Sequence, residues 1–193
     1  MSLTTRERVL DAAVAMTTED GWAKVTMARL ADRVGVSRQT VHNEMGTKAG
    51  LAEAMVQREL QRFLSEVSAA FDAHPDDLVA AVRAASLGVL EHAQDNRLLH
   101  AVVSATHGAD TELLPLLTTH SASLLAGAKA VVALRVAAYD VALVPAELEA
   151  GIDMIVRVVL SHVMQPSGTP AATADSIAWV AARVLGADVP GGR

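Results

Sequence analysis

The apolar positions of the chain recur at helical spacing almost from end to end. In "TTRERVLDAAVAMTTEDGW", Val9, Ala12, Ala13 and Met16 fall at i, i+3, i+4 and i+7, which puts them on one face of a helix. Thr4 and Glu7 stand at the capping-box spacing, where each can satisfy a free backbone N–H, and Gly21 marks the end. Thr26 then reads as an N-cap before "MARLADRVG", with Leu30, Ala31 and Val34 on one face and Gly35 as the stop. Ser37 caps a third element of about two turns that Gly46 closes. So short a helix is stable only when docked on its neighbours. Thr47 caps a long fourth helix whose Leu51, Met55, Leu60, Phe63, Val67 and Phe71 keep an apolar stripe until Pro75 stops it.

The same period predicts five more helices. Pro75, with Asp76 and Asp77, suits the first turn of a fifth helix reaching about Gln94. Asp95 or Asn96 caps a sixth from 97 to about 106. A long apolar element covers about 111–141, with a bend expected near Pro115 or Gly127. Pro145, followed by Glu147 and Glu149, opens an eighth helix to about Met164, "QPSGTP" is a loop, and Pro170–Leu185 forms a ninth. No period of the repeat type interrupts this order. The fold class is therefore all-α with about nine helices.

Composition agrees with that class. The hydrophobic fraction is 51% but aromatics are only 3%, so the core is built from many small aliphatic side chains, as helix-on-helix packing favours. With no Cys, neither a disulfide framework nor a thiolate zinc site is available. The most apolar stretch, residues 122–144, is interrupted by Lys129, Arg135 and Asp140, charges that are costly in a bilayer. It reads as a buried helix, and the absence of a secretory pattern at the start makes the cytoplasm the expected compartment.

Charge divides the chain. Residues 1–50 hold seven Lys/Arg against six Asp/Glu, net +1, and residues 51–193 nine against sixteen, net −7. A small near-neutral head (1–46) and a larger acidic body (47–193) are expected to meet different partners.

The third helix, within "VSRQTVHNEMGTKAG", is polar almost all round, with Val41 its central apolar residue. Ala31, Gly35, Val36 and Val41 stand at offsets 0, 4, 5 and 10, the spacing of a helix-turn-helix. Pinned by Val41, such a helix turns Arg38, Gln39, Thr40 and Asn43 outward, and Arg, Gln and Asn can make bidentate hydrogen bonds with G and A edges. Ser37 and His42 border that face. Lys48 at the start of the fourth helix and Thr26 at the start of the second would grip phosphates at free helix N-termini. The expected partner is double-stranded DNA.

Residues 5 to about 51, "TRERVLDAAVAMTTEDGWAKVTMARLADRVGVSRQTVHNEMGTKAGL", resemble the DNA-binding head of the tetracycline-repressor (TetR) family of bacterial transcription regulators. The resemblance rests on the apolar pattern of the first helix, Gly21 then Thr26, "LADRVGVS", and a Lys after a cap just past the third helix. It implies a homodimer, a C-terminal ligand-binding body of about six helices, dimerisation through the last two long helices, and repression relieved by a small effector. His42 and Met45 depart from the aromatic pair that the family commonly carries there. His42 can offer a ring nitrogen to a phosphate, and Met45 can fill an apolar gap.

The body shows no signature of its own. Leu99, Val103, Leu117, Leu124 and Ile155, with His107 and His120 among them, are compatible either with plain core or with the dry effector pocket that the resemblance implies, and its ligand would be lipophilic. None of His100, His107, His120 and His162 stands at i, i+4 from another, so no metal is expected, and no cofactor. Ile152, Ile155 and Val159 of the eighth helix and Ile177, Trp179 and Ala181 of the ninth suit either burial within one subunit or the dimer interface; the resemblance implies the interface. The sequence contains no G-x-S-x-G, H-E-x-x-H, P-loop or G-x-G-x-x-G motif in a fitting context, so an enzyme is not expected. The alternative function is a helical adaptor that keeps such a head without binding DNA, an option held open by the head's modest charge.

Overall fold

The computed structural model describes residues 3–105 and 121–184, with side chains described for 3–101 and 124–184. The described residues form nine helices: α1 (Thr5–Asp20), α2 (Met27–Val34), α3 (Arg38–Met45), α4 (Lys48–Ala73), α5 (Leu78–Asp95), α6 (Arg97–Ala105), α7 (Ser121–Val136), α8 (Pro145–Met164) and α9 (Pro170–Val184), with a 3-10 turn at Trp22–Lys24. The fold class is all-α, as the periodicity predicts.

Most helix ends follow the capping signals. The Thr4–Glu7 box is complete, with Thr4 N donating to Glu7 Oε2 at 2.7 Å and Glu7 N to Thr4 Oγ1 at 3.2 Å. The Thr4 N–H and the Thr4 hydroxyl, the latter at 2.8 Å, both donate to Glu7 Oε2 and hold the Glu7 carboxyl below the usual carboxylate range. Thr26, Ser37 and Thr47 accept from the backbone N–H three residues on, at 3.2, 3.0 and 3.1 Å. Asn96 caps α6 by accepting from Leu99 N at 2.8 Å. α5 starts later than expected. Asp77 Oδ1 accepts from Ala80 N at 2.9 Å, so Asp77 is the cap and Pro75 belongs to the preceding turn. α7 ends at Val136 rather than near 141, and residues 111–120 of that expected element lie outside the described set.

The chain divides into two compact units. One contains the chain up to Gln61 together with α6, and the other contains Arg62–Asp95 and the chain from Ala122 on. This packing boundary differs from a division at residue 46, because the apolar stripe of α4 is buried in both units. Leu51, Ala52 and Met55 join the first core, and Phe63, Val67 and Phe71 the second.

In the first unit, α1, α2, α3, the start of α4 and α6 enclose Val9, Met16, Trp22, Leu30, Val41, Met45 and Leu98. In the second, α5 packs most extensively on α9. Their buried faces include Ala81, Ala85 and Ser86 on one side and Ala174, Ala178, Ala181 and Ala182 on the other, small residues that let helices approach closely. Arg83 Nε ties this pair to Asp175 at 2.6 Å. Tyr139 donates its hydroxyl to the His74 carbonyl at 2.7 Å and stacks edge-on against Phe71. Burial, with Asp76, Asp72 and Asp77 nearby, raises its phenol pKa. Asp153 of α8 receives Lys129 of α7 at 2.9 Å and Arg157 at 2.7 Å.

Candidate nucleic-acid interface

The polar face of α3 is made by what that helix buries. Val41 is 0% exposed and Met45 is also buried. At 100° per residue, Gln39 and Asn43 stand two positions either side of Val41, about 200° around the helix from it. They therefore project from the side opposite the core, and both are exposed, as are Arg38 and His42. Helix 3 thus presents an uninterrupted polar face on an apolar seat.

Three devices hold that seat. Gly35, at φ 73°, takes the left-handed conformation that closes α2, and its N–H donates to the Ala31 carbonyl at 2.9 Å. Arg6 donates to the Glu44 carbonyl and Arg8 to the Val34 carbonyl, so two guanidinium groups of α1 satisfy free carbonyls at the C-terminal ends of α3 and α2, where the helix dipole favours a cation. Gly50 completes the set: a Cβ there would stand 2.7 Å from the Met45 carbonyl, so only glycine lets the first turn of α4 come this close to the end of α3.

The expected contact residues divide by role. Ser37 and Thr40 are engaged with each other: the Ser37 hydroxyl accepts from Thr40 N and lies 2.8 Å from the Thr40 hydroxyl. Arg38 has no hydrogen-bond or ion-pair partner among the described residues, and its guanidinium is available as a fork of donors. Gln39 Nε2 donates to Asn43 Oδ1 at 2.8 Å. Thr26 caps α2 from an exposed position. Lys48 lies in the first turn of α4 with Nζ 5.0 Å from the centroid of the buried Trp22 ring, a cation–π contact that fixes the ammonium beside the helix N-terminus. The structure thus gathers Arg38 to Asn43 on one helix capped by Ser37 and sets Thr26 and Lys48 at the starts of two others in the same unit.

Charge in the head is largely spent internally. Arg33 makes two bonds to Glu19, at 2.8 and 3.0 Å, and Arg29 pairs with Asp20 at 2.6 Å. The hydrogen bond from Arg33 lowers the pKa of Glu19, and that from Arg29 lowers the pKa of Asp20. These pairs, like the Arg6 and Arg8 clamps, join residues 9 to 38 positions apart. No helical period could have signalled them.

The body residues fare differently. Ile152 is 8% exposed, and Ile177 and Ala181 are 3% exposed; all three are buried within their own chain, one of the two destinations their helical stripe allows. Helices α8 and α9 are apolar on more than one side, and the stripe alone does not say which side faces the core. Trp179 stands outward at 56% exposure, with Met154, Val158, Met164, Val180 and Val184 also exposed; Ile155 and Val159 are half-buried.

The second unit holds an apolar cavity of about 50 Å³ lined by Leu78, Val82, Val132, Leu148, Ile152, Ile155 and neighbours. Among the expected pocket residues whose side chains are described, Ile155 alone lines it. Leu124 is half-buried in the same unit and Leu99 half-buried on α6. Val103 belongs to α6 with its side chain outside the described set, and His107, Leu117 and His120 lie outside the described residues. No helix among the described residues is long and apolar enough to cross a membrane.

Comparison with known proteins matches the head and the body separately. Residues 9–55 match the bacterial regulatory proteins of the TetR family, and residues 77–183 match the bacterial tetracyclin repressor C-terminal domain. The sequence is 30% identical over 161 residues to the HTH-type transcriptional regulator AlkX of Mycobacterium tuberculosis, covering 83% of this chain and 75% of the relative. Among solved structures, the TetR family repressor AlkX of Dietzia sp., implicated in biodegradation of n-alkanes, superposes with a TM-score of 0.72 at 23% identity, covering 95% of this chain and 97% of that one. The fatty acid degradation regulator FadR of Bacillus halodurans gives 0.60 at 16%, over 94% and 96% of the two chains. With head and body both matched, and a relative aligned along three quarters of its own length, this chain belongs to the tetracycline-repressor family of bacterial transcriptional regulators.

Proposed function

We propose that the chain is an operator-binding repressor that acts as a homodimer and is released from DNA by a small lipophilic effector. The observation that carries the reading is the polar face of α3. Arg38, Gln39, His42 and Asn43 are exposed on a helix whose opposite side is sealed by Val41, a geometry suited to a major groove. Thr26 and Lys48, at the N-termini of α2 and α4, supply phosphate contacts that fix register. A two-fold dimer gives two such faces for two half-sites. The exposed Met154, Val158 and Met164 of α8 and Trp179, Val180 and Val184 of α9 are apolar surface of the kind a dimer covers, with Trp179 as the anchor.

The lipophilic effector is supported by the wholly apolar lining of the cavity in the second unit and by relatives named for alkane and fatty acid degradation. Release follows if the effector binds more tightly to the conformation with lower operator affinity, since only differential binding shifts an equilibrium.

Selection of bound fragments from random duplex DNA, followed by salt titration on the selected site, tests the reading. A two-fold symmetric site whose affinity falls steeply with salt is the expected result. Release is then followed on addition of n-alkanes and long-chain fatty acids. A protein that retains no DNA at low salt refutes operator binding and leaves the adaptor; a site that no lipophile releases refutes the effector class.

A further inference from the structure

Two amides stand at the outermost edge of α3, and they are not independent. Gln39 and Asn43 are one helical turn apart, both exposed, on the side opposite Val41, and Gln39 Nε2 donates to Asn43 Oδ1 at 2.8 Å. The bond has a direction. Because Oδ1 of Asn43 receives the proton, its Nδ2 group is turned away from Gln39, leaving two N–H donors free beside the second lone pair of Oδ1. A donor next to an acceptor is the pattern that adenine complements with N7 and its N6 amino group. Guanine, with acceptors at both N7 and O6, would set O6 against the Oδ1 lone pair.

We infer that Gln39 is a positioning residue that fixes the amide of Asn43 so that Asn43 selects adenine at one position of each half-site. The inference rests on the operator reading above and names what that site recognises. Free to rotate about its last torsion, the Asn43 amide would offer either polarity to a base; held by Gln39, it offers one. The neighbouring hydroxyls do not compete, because Ser37 and Thr40 are engaged with each other at 2.8 Å.

The experiment uses the full-length protein and the site it selects from random duplexes. Four duplexes differing only at the candidate base pair are then titrated at one salt concentration with wild type, Asn43→Ala, Gln39→Ala and Gln39→Glu. Wild type should favour adenine over the other bases by roughly 5- to 150-fold, the range of one good bidentate contact. Asn43→Ala should abolish that preference. Gln39→Ala should reduce it by roughly 2- to 12-fold, the cost of ordering a side chain that was previously held.

Gln39→Glu is the decisive variant. A carboxylate only accepts, so it must take an N–H from Asn43, which turns the amide over and makes adenine the disfavoured base. Both positions are exposed on a helix, and circular dichroism of each variant checks that it folds. A merely structural role for Gln39 would weaken all four duplexes alike; that result, or retention of the adenine preference by Gln39→Glu, overturns the inference. A selected site with no adenine position also overturns it while leaving operator binding intact, whereas a wild-type protein that selects no sequence refutes operator binding itself.

Discussion

Replacing Val41 by Ala probes the seat of α3 without touching its polar face. Val41 is 0% exposed, so the substitution removes two fully buried methyl groups. At about 0.8 kcal/mol per buried carbon the lost transfer energy is about 1.6 kcal/mol, and the cavity left in a packed core adds about 1 kcal/mol. The expected loss is therefore about 2–3 kcal/mol. The first unit can be followed by itself, because the chain has two Trp residues and Trp22 is buried in that unit's core. In a Trp179→Phe background, urea unfolding read by Trp22 fluorescence should show a midpoint lowered by about 1 M. Reading one unit avoids assuming that both unfold together. Operator affinity should fall in the same variant although Val41 faces the core. A loss below about 0.5 kcal/mol, the size of an ordinary surface change, would refute the claim that Val41 seats α3.

Four other outcomes follow from the same structure. Arg8→Ala removes the donor to the Val34 carbonyl and should cost about 1.5 kcal/mol in the Trp22 assay, the size of a charged hydrogen bond, with Arg8→Lys recovering part of it. Lys48→Ala should lower affinity for all duplexes alike and reduce the slope of log K against log salt by about 0.9, one phosphate contact. Trp179→Ala should weaken self-association by about 30-fold in sedimentation equilibrium, as loss of a hot-spot aromatic does. Asp153 has its carboxyl pKa lowered first by the Arg157 hydrogen bond and then by Lys129; a group whose folded pKa is depressed stabilises above the ordinary value of about 3.9 and loses that contribution as pH falls through the lower one. Urea midpoints of wild type and Asp153→Asn should therefore converge below about pH 4, and parallel profiles would count against the ion pairs.

Local chemistry wrote most of the fold into the sequence. Thr4 with Glu7, Thr26, Ser37, Thr47 and Asn96 cap the helices they precede, because a cap is satisfied by a backbone N–H three residues away and needs nothing distant. The outward placement of Arg38, Gln39 and Asn43 was equally legible, since burying Val41 fixes the other positions of a two-turn helix by its 100° steps. The late start of α5 escaped because Asp77 and Pro75 both suit a helix start, and the cap taken was that of Asp77.

What only the tertiary structure decided involves partners far apart in the chain. Arg6 and Arg8 look like exposed charges of α1, yet they satisfy carbonyls of α3 and α2. Trp22 looks like a core residue, yet its ring also holds the Lys48 ammonium. Ile152, Ile177 and Ala181 look like candidates for an interface, yet they are buried in their own chain while Trp179 is not. In each case several side-chain destinations are compatible with one helical period. Packing selects among them, because a buried carbonyl needs a donor and an apolar face is buried only against the helix that arrives there.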